Sequence, residues 1–203
     1  METDLRRILL DTARRLLVQE GYSRLSMRKI ATEAGYSATS LYLHFANKDD
    51  LIHTLIEEGM ERLYAGLAAA RSTAEGPEAC LRGLSEAYLN FAVNNAEYYE
   101  VMFMQRSDEL ARFPTEKYRK ARRNLDLFRD AIAEGQHSGV FREGEPFVQA
   151  TSLWALLHGT VALHLAGRVD ARIHRTALFD AVVTLALAGV QSVRASEPTP
   201  SSS

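Results

Sequence analysis

The chain reads as an all-α protein, with a three-helix head that carries a helix-turn-helix and a larger helical body, about nine helices together. Three observations predict this. Apolar residues recur at i, i+3, i+4 and i+7 through most of the sequence, with no sustained two-residue alternation of the kind a strand needs. Glycine, proline and serine clusters interrupt that period at helix-length intervals. With 203 residues, 46% of them hydrophobic, the chain can bury one good core or a small N-terminal domain continuous with a larger one. The second arrangement fits the charge pattern better: residues 1–48 carry eight Lys or Arg against five Asp or Glu, a net +3, while the remainder carries sixteen against twenty-one, a net −5. A mildly basic head on an acidic body suits phosphate contact confined to one end. The expected division is 1–47 for the head, 48–196 for the body and 197–203 for a disordered tail, because Glu197–Ser203 is short, polar and unable to pack.

In order, Leu5, Ile8, Leu9, Ala13, Leu16 and Leu17 place one apolar stripe on a first helix that stops at Gly21. Met27, Ile30, Ala31 and Ala34 line one face of a second helix, which Ser26 can cap and Gly35 can stop, since glycine takes the left-handed conformation at little cost. Ser37 caps the third, about Ala38 to Phe45, so Gly35, Tyr36 and Ser37 form the turn of a helix-turn-helix. A fourth helix runs from Lys48 to Ala70, with Asn47 as its cap and Asp49 and Asp50 favoured by its dipole. After the loop Ser72–Pro77 a fifth reaches Asn95, where Asn94-Asn95-Ala96 breaks it, and a sixth covers Glu97 to Met104. Arg106–Pro114 is read as a loop, Thr115–His137 as a long helix ended by Ser138-Gly139, and Pro146–Ala166 as a helix entered through proline. The last helix is expected over His174–Arg194.

The third helix sorts its faces sharply at about 100° per residue. Ala38, Leu41 and Phe45 point inward, leaving Thr39, Ser40 and Leu43 outward with Tyr42 and His44 on the flanks. Hydroxyls bond base or backbone, an exposed Leu43 suits a thymine methyl, and Tyr42 and His44 reach phosphates on either side of a groove. Ser26, Arg28, Ser37 and Lys48 join them as candidate contacts: Arg28 is long enough for a guanine edge or a phosphate, and Lys48 stands where the next helix starts beside the backbone. An ordinary helical pair in an all-α core is the alternative, because helix-turn-helix geometry occurs outside DNA-binding proteins.

The run Gly35-Tyr36-Ser37-Ala38-Thr39-Ser40-Leu41-Tyr42-Leu43-His44-Phe45, followed by Asn47-Lys48-Asp49-Asp50-Leu51, resembles the signature of the TetR-like transcriptional regulators. It departs at Thr39, where many members carry glycine, and at Ser40, where threonine is common. The strong resemblance covers roughly the first quarter of the chain; beyond it only helix order agrees. It implies a dimeric helical repressor that binds double-stranded operator DNA through the nine residues above and is released by a small-molecule effector. Leu153-Trp154-Ala155-Leu156-Leu157-His158-Gly159 also resembles the Trp-His-Gly stretch of one class of TetR-like C-terminal domains.

The segments LWALLHGTVALHLAG and ALFDAVVTLALAGVQSV are apolar over more than one face, so each must be covered on several sides. A second copy can supply the cover, two helices from each subunit forming a four-helix bundle through residues 146–166 and 174–194; a monomer core can supply it equally. A DNA-reading head favours the dimer, because paired heads about 34 Å apart read two half-sites. Tyr88, Phe91, Tyr99, Met102, Phe103, Phe128, Trp154 and His158 are candidate ligand contacts for an apolar or aromatic effector, with Tyr98 close in sequence; each taken singly also reads as plain packing. His158 is either a donor to that ligand or a satisfied core histidine.

Other chemistry finds little support. Cys80 is the only cysteine, which rules out an intrachain disulfide and a Cys-rich zinc site. The spacing Glu134-x-x-His137 resembles half a di-iron motif, but its only companion, Asp50 to His53, lies in the connecting helix, so neither metal nor cofactor is expected. No Gly-x-Ser-x-Gly elbow or phosphate-binding glycine loop points to catalysis, and the protein is not expected to be an enzyme. Lys117–Arg123, KYRKARR, is either an anion-greeting patch or a solvated helix face. No stretch reaches the ~18 apolar residues of a membrane span and the charged N-terminal helix lacks a signal core, so a cytoplasmic location is expected. The rival from another class is a cytoplasmic helical binding protein or enzyme with a structural head.

Overall fold

The computed structural model describes residues 2–104 and 114–192. Among them are nine α-helices and no strand: α1 (Glu2–Glu20), α2 (Met27–Ala34), α3 (Ala38–Tyr42), α4 (Lys48–Ser72), α5 (Pro77–Asn94), α6 (Ala96–Tyr99), α7 (Thr115–His137), α8 (Pro146–Leu165) and α9 (Arg175–Ala188). A 3-10 turn over Tyr22–Arg24 leads into α2. The expected tail at 197–203 and the expected loop Arg106–Pro114, apart from Pro114 itself, lie outside the described residues. No helix among the described residues is long and apolar enough to cross a membrane.

Two compact units emerge from the contacts, one built on Met1–Ala68 with Tyr88–Asn124, the other on Ala69–Ala87 with Leu125–Ser203. The first therefore holds the helix-turn-helix together with most of α4 and the α5–α6 corner. Its core takes Leu9, Leu10, Ala13, Leu16 and Leu17 from α1, Ile30 and Ala31 from α2, Leu41 and Phe45 from the α3 segment, and Leu51, Ile52 and Leu55 from α4, all buried. A helix of five residues has no stability alone, since isolated helices shorter than ~12–15 residues are marginal in water. Burial of Leu41 and Phe45 holds it, each contributing about 1.5–3 kcal/mol.

Two expectations change within this unit. The third helix closes at Tyr42 rather than Phe45, by a tightened turn in which His44 N–H donates to Leu41 O at 3.0 Å and Phe45 N–H to the same oxygen at 3.1 Å. The sixth helix is α only over Ala96–Tyr99 and π over Glu100–Met104, whose wider winding changes which side chains share a face. Met102 of that segment packs on Gly59 of α4. A Cβ at Gly59 would stand 2.4 Å from Met102 Sδ and 3.1 Å from Tyr98 Cδ1, so a larger residue there would push the Met102 side chain aside.

Along its inner edge the basic run of α7 is paired with carboxylates of α4. Lys117 pairs with Glu57 at 3.1 Å, Lys120 with Glu57 at 3.1 Å and Glu61 at 2.9 Å, and Arg123 with Glu61, its guanidinium also 3.9 Å from the centre of the Tyr64 ring. Burial alone would raise Glu57; hydrogen bonds from Lys120 and Lys117 outweigh it and hold the carboxyl below its ordinary value. Glu61 is lowered chiefly by Lys120.

In the second unit α8 and α9 pack on each other through buried Leu153, Leu157 and Val161 of α8 and Val182, Val183, Ala186 and Leu187 of α9. The last helix stops at Ala188, short of the expected Arg194, because the following backbone bonds to residues 140–142 instead. Arg142 N–H donates to Val190 O at 2.8 Å and Ser192 N–H to Val140 O at 3.2 Å. The other side of both helices stays in water: Val148, Leu156 and Leu163 of α8 and Leu185 of α9 are exposed, among Ser152, Ala155, Ala181, Ala188 and Gly189.

Candidate nucleic-acid interface

The turn that aims α3 is built from its own residues. Gly35 has φ 78°, ψ 24°, the left-handed conformation, and Tyr36 N–H reaches back to Ala31 O at 2.9 Å while Gly35 N–H reaches Thr32 O at 3.1 Å. This is the Schellman closure, which satisfies carbonyls that α2 leaves unpaired and turns the chain sharply. Ser26 and Ser37 both act as caps: Lys29 N–H donates to Ser26 Oγ at 3.2 Å, and Ser40 N–H to Ser37 Oγ at 3.1 Å. Asn47 caps α4 by accepting Asp50 N–H at 2.9 Å, and Asp50 in turn accepts Ala46 N–H at 3.0 Å.

These locks present a face with large side chains left in water. Leu43 is 81% exposed and Tyr42 55%; Thr39 and Arg28 are exposed as well. Tyr36 in the turn is 41% exposed beside them, a side chain that sorting the faces of α3 alone passes over. Arg28 and the neighbouring Arg24 are exposed and make no ion pair among the described residues. The remaining candidates are partly committed. Ser40 is half-buried, its hydroxyl 2.9 Å from that of Ser37. His44 is half-buried beside Phe45. Lys48 is half-buried too, with Nζ 3.6 Å from the centre of the Tyr22 ring and donating to Tyr22 O at 3.3 Å. A phosphate contact by Lys48 would give up those interactions, whereas Arg28 gives up none.

A dense ion-pair cluster fixes α1 to the rest of its unit, and no periodic pattern in the sequence announces it. Arg7 donates to Asp11 at 2.9 and 3.0 Å, to Tyr98 Oη at 3.2 Å and to Glu58. Arg14 donates to Asp11 at 2.8 Å and to Glu97 at 2.9 Å. Arg62 donates to Glu58 at 2.7 Å. The guanidiniums of Arg14 and Arg62 lie 4.5 and 4.6 Å from the centre of the Tyr98 ring. Burial works against the charge on Glu58, yet hydrogen bonds from Arg7 and Arg62 hold its carboxyl below the usual range.

The eight aromatic and sulfur-bearing candidates divide between the units. Tyr88, Phe91, Tyr99, Met102 and Phe103 belong to the first; Phe128, Trp154 and His158 belong to the second. Tyr88 and Tyr99 are buried with their hydroxyls 3.3 Å apart, and the Tyr99 ring lies 5.0 Å from that of Phe103. Burial pushes the Tyr99 phenol up to about 12, partly offset by the Tyr88 hydrogen bond. Phe91 is buried, Met102 and Phe103 half-buried. In the second unit Phe128 is buried, while Trp154 and His158, one turn apart on α8, are half-buried with ring centres 5.1 Å apart. Burial lowers the imidazole of His158, which favours its neutral form. The metal-like spacing on α7 has another use, since Glu134 pairs with Arg71.

Comparisons with known proteins agree with this geometry. The family described as "Bacterial regulatory proteins, tetR family" matches residues 9–55, from within α1 to the first turns of α4, and "Tetracyclin repressor-like, C-terminal domain" matches residues 81–186. An uncharacterized helix-turn-helix transcriptional regulator of Haemophilus influenzae is 28% identical over 130 residues, 64% of this chain and 62% of that protein. The transcriptional activator FasR of Mycolicibacterium smegmatis is 30% identical over 95 residues, 47% of this chain and 43% of its own. The chain thus spans less than two thirds of the length of either relative. A solved protein of unknown function from Rhodococcus sp. RHA1 superimposes with a TM-score of 0.78 at 28% identity, covering 93% of this chain and 96% of that one. With its helix-turn-helix and its C-terminal domain both matched, the chain belongs to the tetR family of bacterial regulatory proteins, which are transcription regulators and not enzymes.

Proposed function

We propose that the protein is a cytoplasmic, ligand-responsive repressor that binds a palindromic operator as a homodimer and leaves it when a small apolar or aromatic molecule occupies the body. The observation that carries the DNA contact is the outward face of α3. Thr39, Tyr42 and Leu43 stand in water on a helix whose opposite side, Leu41, is fully buried. A five-residue helix that spends its inner face on anchoring and leaves leucine outside is placed to meet base edges, with Arg28 at hand for a guanine or a phosphate. Ser26 and Ser37 contribute through the caps that hold this geometry, and Ser40, His44 and Lys48 stand behind it.

The exposed, small-residue face of α8 and α9 supports the homodimer. A second copy would cover Val148, Leu156, Leu163 and Leu185 about a two-fold axis, and the paired heads would read half-sites about 34 Å apart. For the effector, Trp154 and His158 of the second unit offer an aromatic wall with one neutral polar tip. In the proposed mechanism the effector tilts α4, which carries the Gly59 contact and the paired Glu57, Glu58 and Glu61. A shift of this kind requires the effector to prefer the low-affinity state by a few kcal/mol, because equal affinity for both states moves nothing.

A gel-shift assay at stated salt, using fragments that flank the protein's own gene, tests the reading. One fragment is expected to be retarded specifically, and in-vitro transcription from its promoter is expected to fall when the protein is added. A rise would make it an activator, as the Mycolicibacterium relative is named. A binding protein or enzyme with a structural head would retard no fragment specifically.

A further inference from the structure

Beside the Tyr98 ring lies a cleft of ≈ 320 Å³ whose lining includes Arg7, Arg14, Arg62, Asn94, Asn95 and Glu97. Those side chains place three guanidiniums and one carboxylate on its surface; Asp11 and Glu58, which hold the arginines from outside the lining, make the whole cluster neutral, so capture rests on donor geometry rather than on net charge. We propose that this cleft is a second ligand site, taking the oxyanion of a small molecule, a carboxylate or a phosphate.

Donor capacity favours that occupant. Arg7 spends all three nitrogens on Asp11, Glu58 and Tyr98. Arg62 spends one of three, on Glu58, and Arg14 spends two, on Glu97 and Asp11, among the described residues. Arg14 and, more so, Arg62 therefore keep N–H groups unspent while their guanidiniums lie over the same tyrosine ring, which fixes their orientation; Arg7 is fully committed. Planar donors held in place beside the Asn94 amide suit bidentate capture of an oxyanion, while the Asn95 amide already donates to Phe91 O at 3.1 Å. Glu97 is the built-in competitor: it occupies Arg14 Nε at 2.9 Å, and an incoming anion takes its place. That exchange cuts a link between α1 and α6. The site is separate from the aromatic one proposed above and stands or falls without it.

The test is a titration of the full-length protein with inorganic phosphate and, separately, with acetate, at constant ionic strength set by chloride, following the Nε–H resonances of Arg14 and Arg62 by NMR. Saturable shifts of both resonances with either anion are expected, and the anion that saturates identifies the oxyanion class. Arg62→Gln should weaken that binding and Glu97→Gln should tighten it, each about two- to fivefold, the range of a partly exposed charge pair. Both side chains are partly exposed, 42% and 49%, so both variants are expected to keep the fold, which their amide spectra check. Shifts that stay linear with both anions, or that are unchanged in the two variants, overturn the proposal. A merely structural ion pair would not gain affinity from Glu97→Gln.

Discussion

Two surfaces of this protein leave leucine in water, and their surroundings differ. Leu43 at the end of α3 is 81% exposed and Leu185 of α9 is 63% exposed. Around Leu43 are a threonine hydroxyl, a tyrosine and, from α2, an unpaired arginine; around Leu185 are Ala181, Ala188 and Gly189. Exposure alone would mark both as sticky. Composition separates them: polar donors beside an apolar tip suit the edges of bases, whereas small uncharged residues let another helix approach closely. The contrast teaches that an exposed apolar residue is read through its neighbours.

The comparison breaks most visibly at Leu185. On the dimer reading, Leu185→Glu buries an unpaired carboxylate in each subunit, costs several kcal/mol and turns dimer into monomer by light scattering, lowering DNA affinity by about 10³-fold. An unchanged mass would leave α9 an ordinary surface. Next in size, Leu41→Ala should destabilise the chain by about 2–5 kcal/mol in urea unfolding, because the leucine is fully buried. Leu43→Ala, two residues on, should change stability by less than about 0.5 kcal/mol. Equal losses at the two positions would erase the distinction between anchoring and reading faces. Arg28→Ala should weaken DNA binding across all sequences and reduce the salt slope by about 1, as expected for one lost phosphate contact. A slope that does not move would assign Arg28 to a base edge or to neither.

The smallest effect is acid sensitivity. Glu57, Glu58 and Glu61 are all held below their ordinary values by basic partners, so the stability they add is present above the unfolded-state value near ~4.5 and is lost as pH falls through the lower folded values. Replacing Glu57 and Glu61 together with Gln should flatten the dependence of the urea midpoint on pH below ~4.5 and leave its slope above pH 6 unchanged.

What was legible in the sequence was local. The caps Ser26, Ser37 and Asn47 and the stop at Gly35 each act within a few residues, so their spacing can be read off the chain, and α3 sorts into faces by its own period. The arginine cluster was not legible, since Arg7 meets Glu58 across 51 positions and Tyr98 across 91, and such pairs leave no period. For the same reason the sequence does not show that Lys117, Lys120 and Arg123 of KYRKARR pair with carboxylates of α4. The aromatic set shows a third case. Periodicity marks those residues as inward-facing without saying which core receives them, and the structure puts five in one unit and three in the other. The end of α9 falls short of the expected Arg194 because the competing backbone pairing with residues 140–142 is long-range and leaves no period in the sequence.

The central claim is that the outward face of α3 lies against base pairs. Selection of binding sites from random duplexes, run in parallel with the natural protein and with Leu43→Gln, tests it most directly. The account predicts that both proteins select half-sites of the same spacing but prefer different bases at one position, a discrimination of about 1–3 kcal/mol. The same preferred sequence from both proteins, at equal affinity, would contradict it.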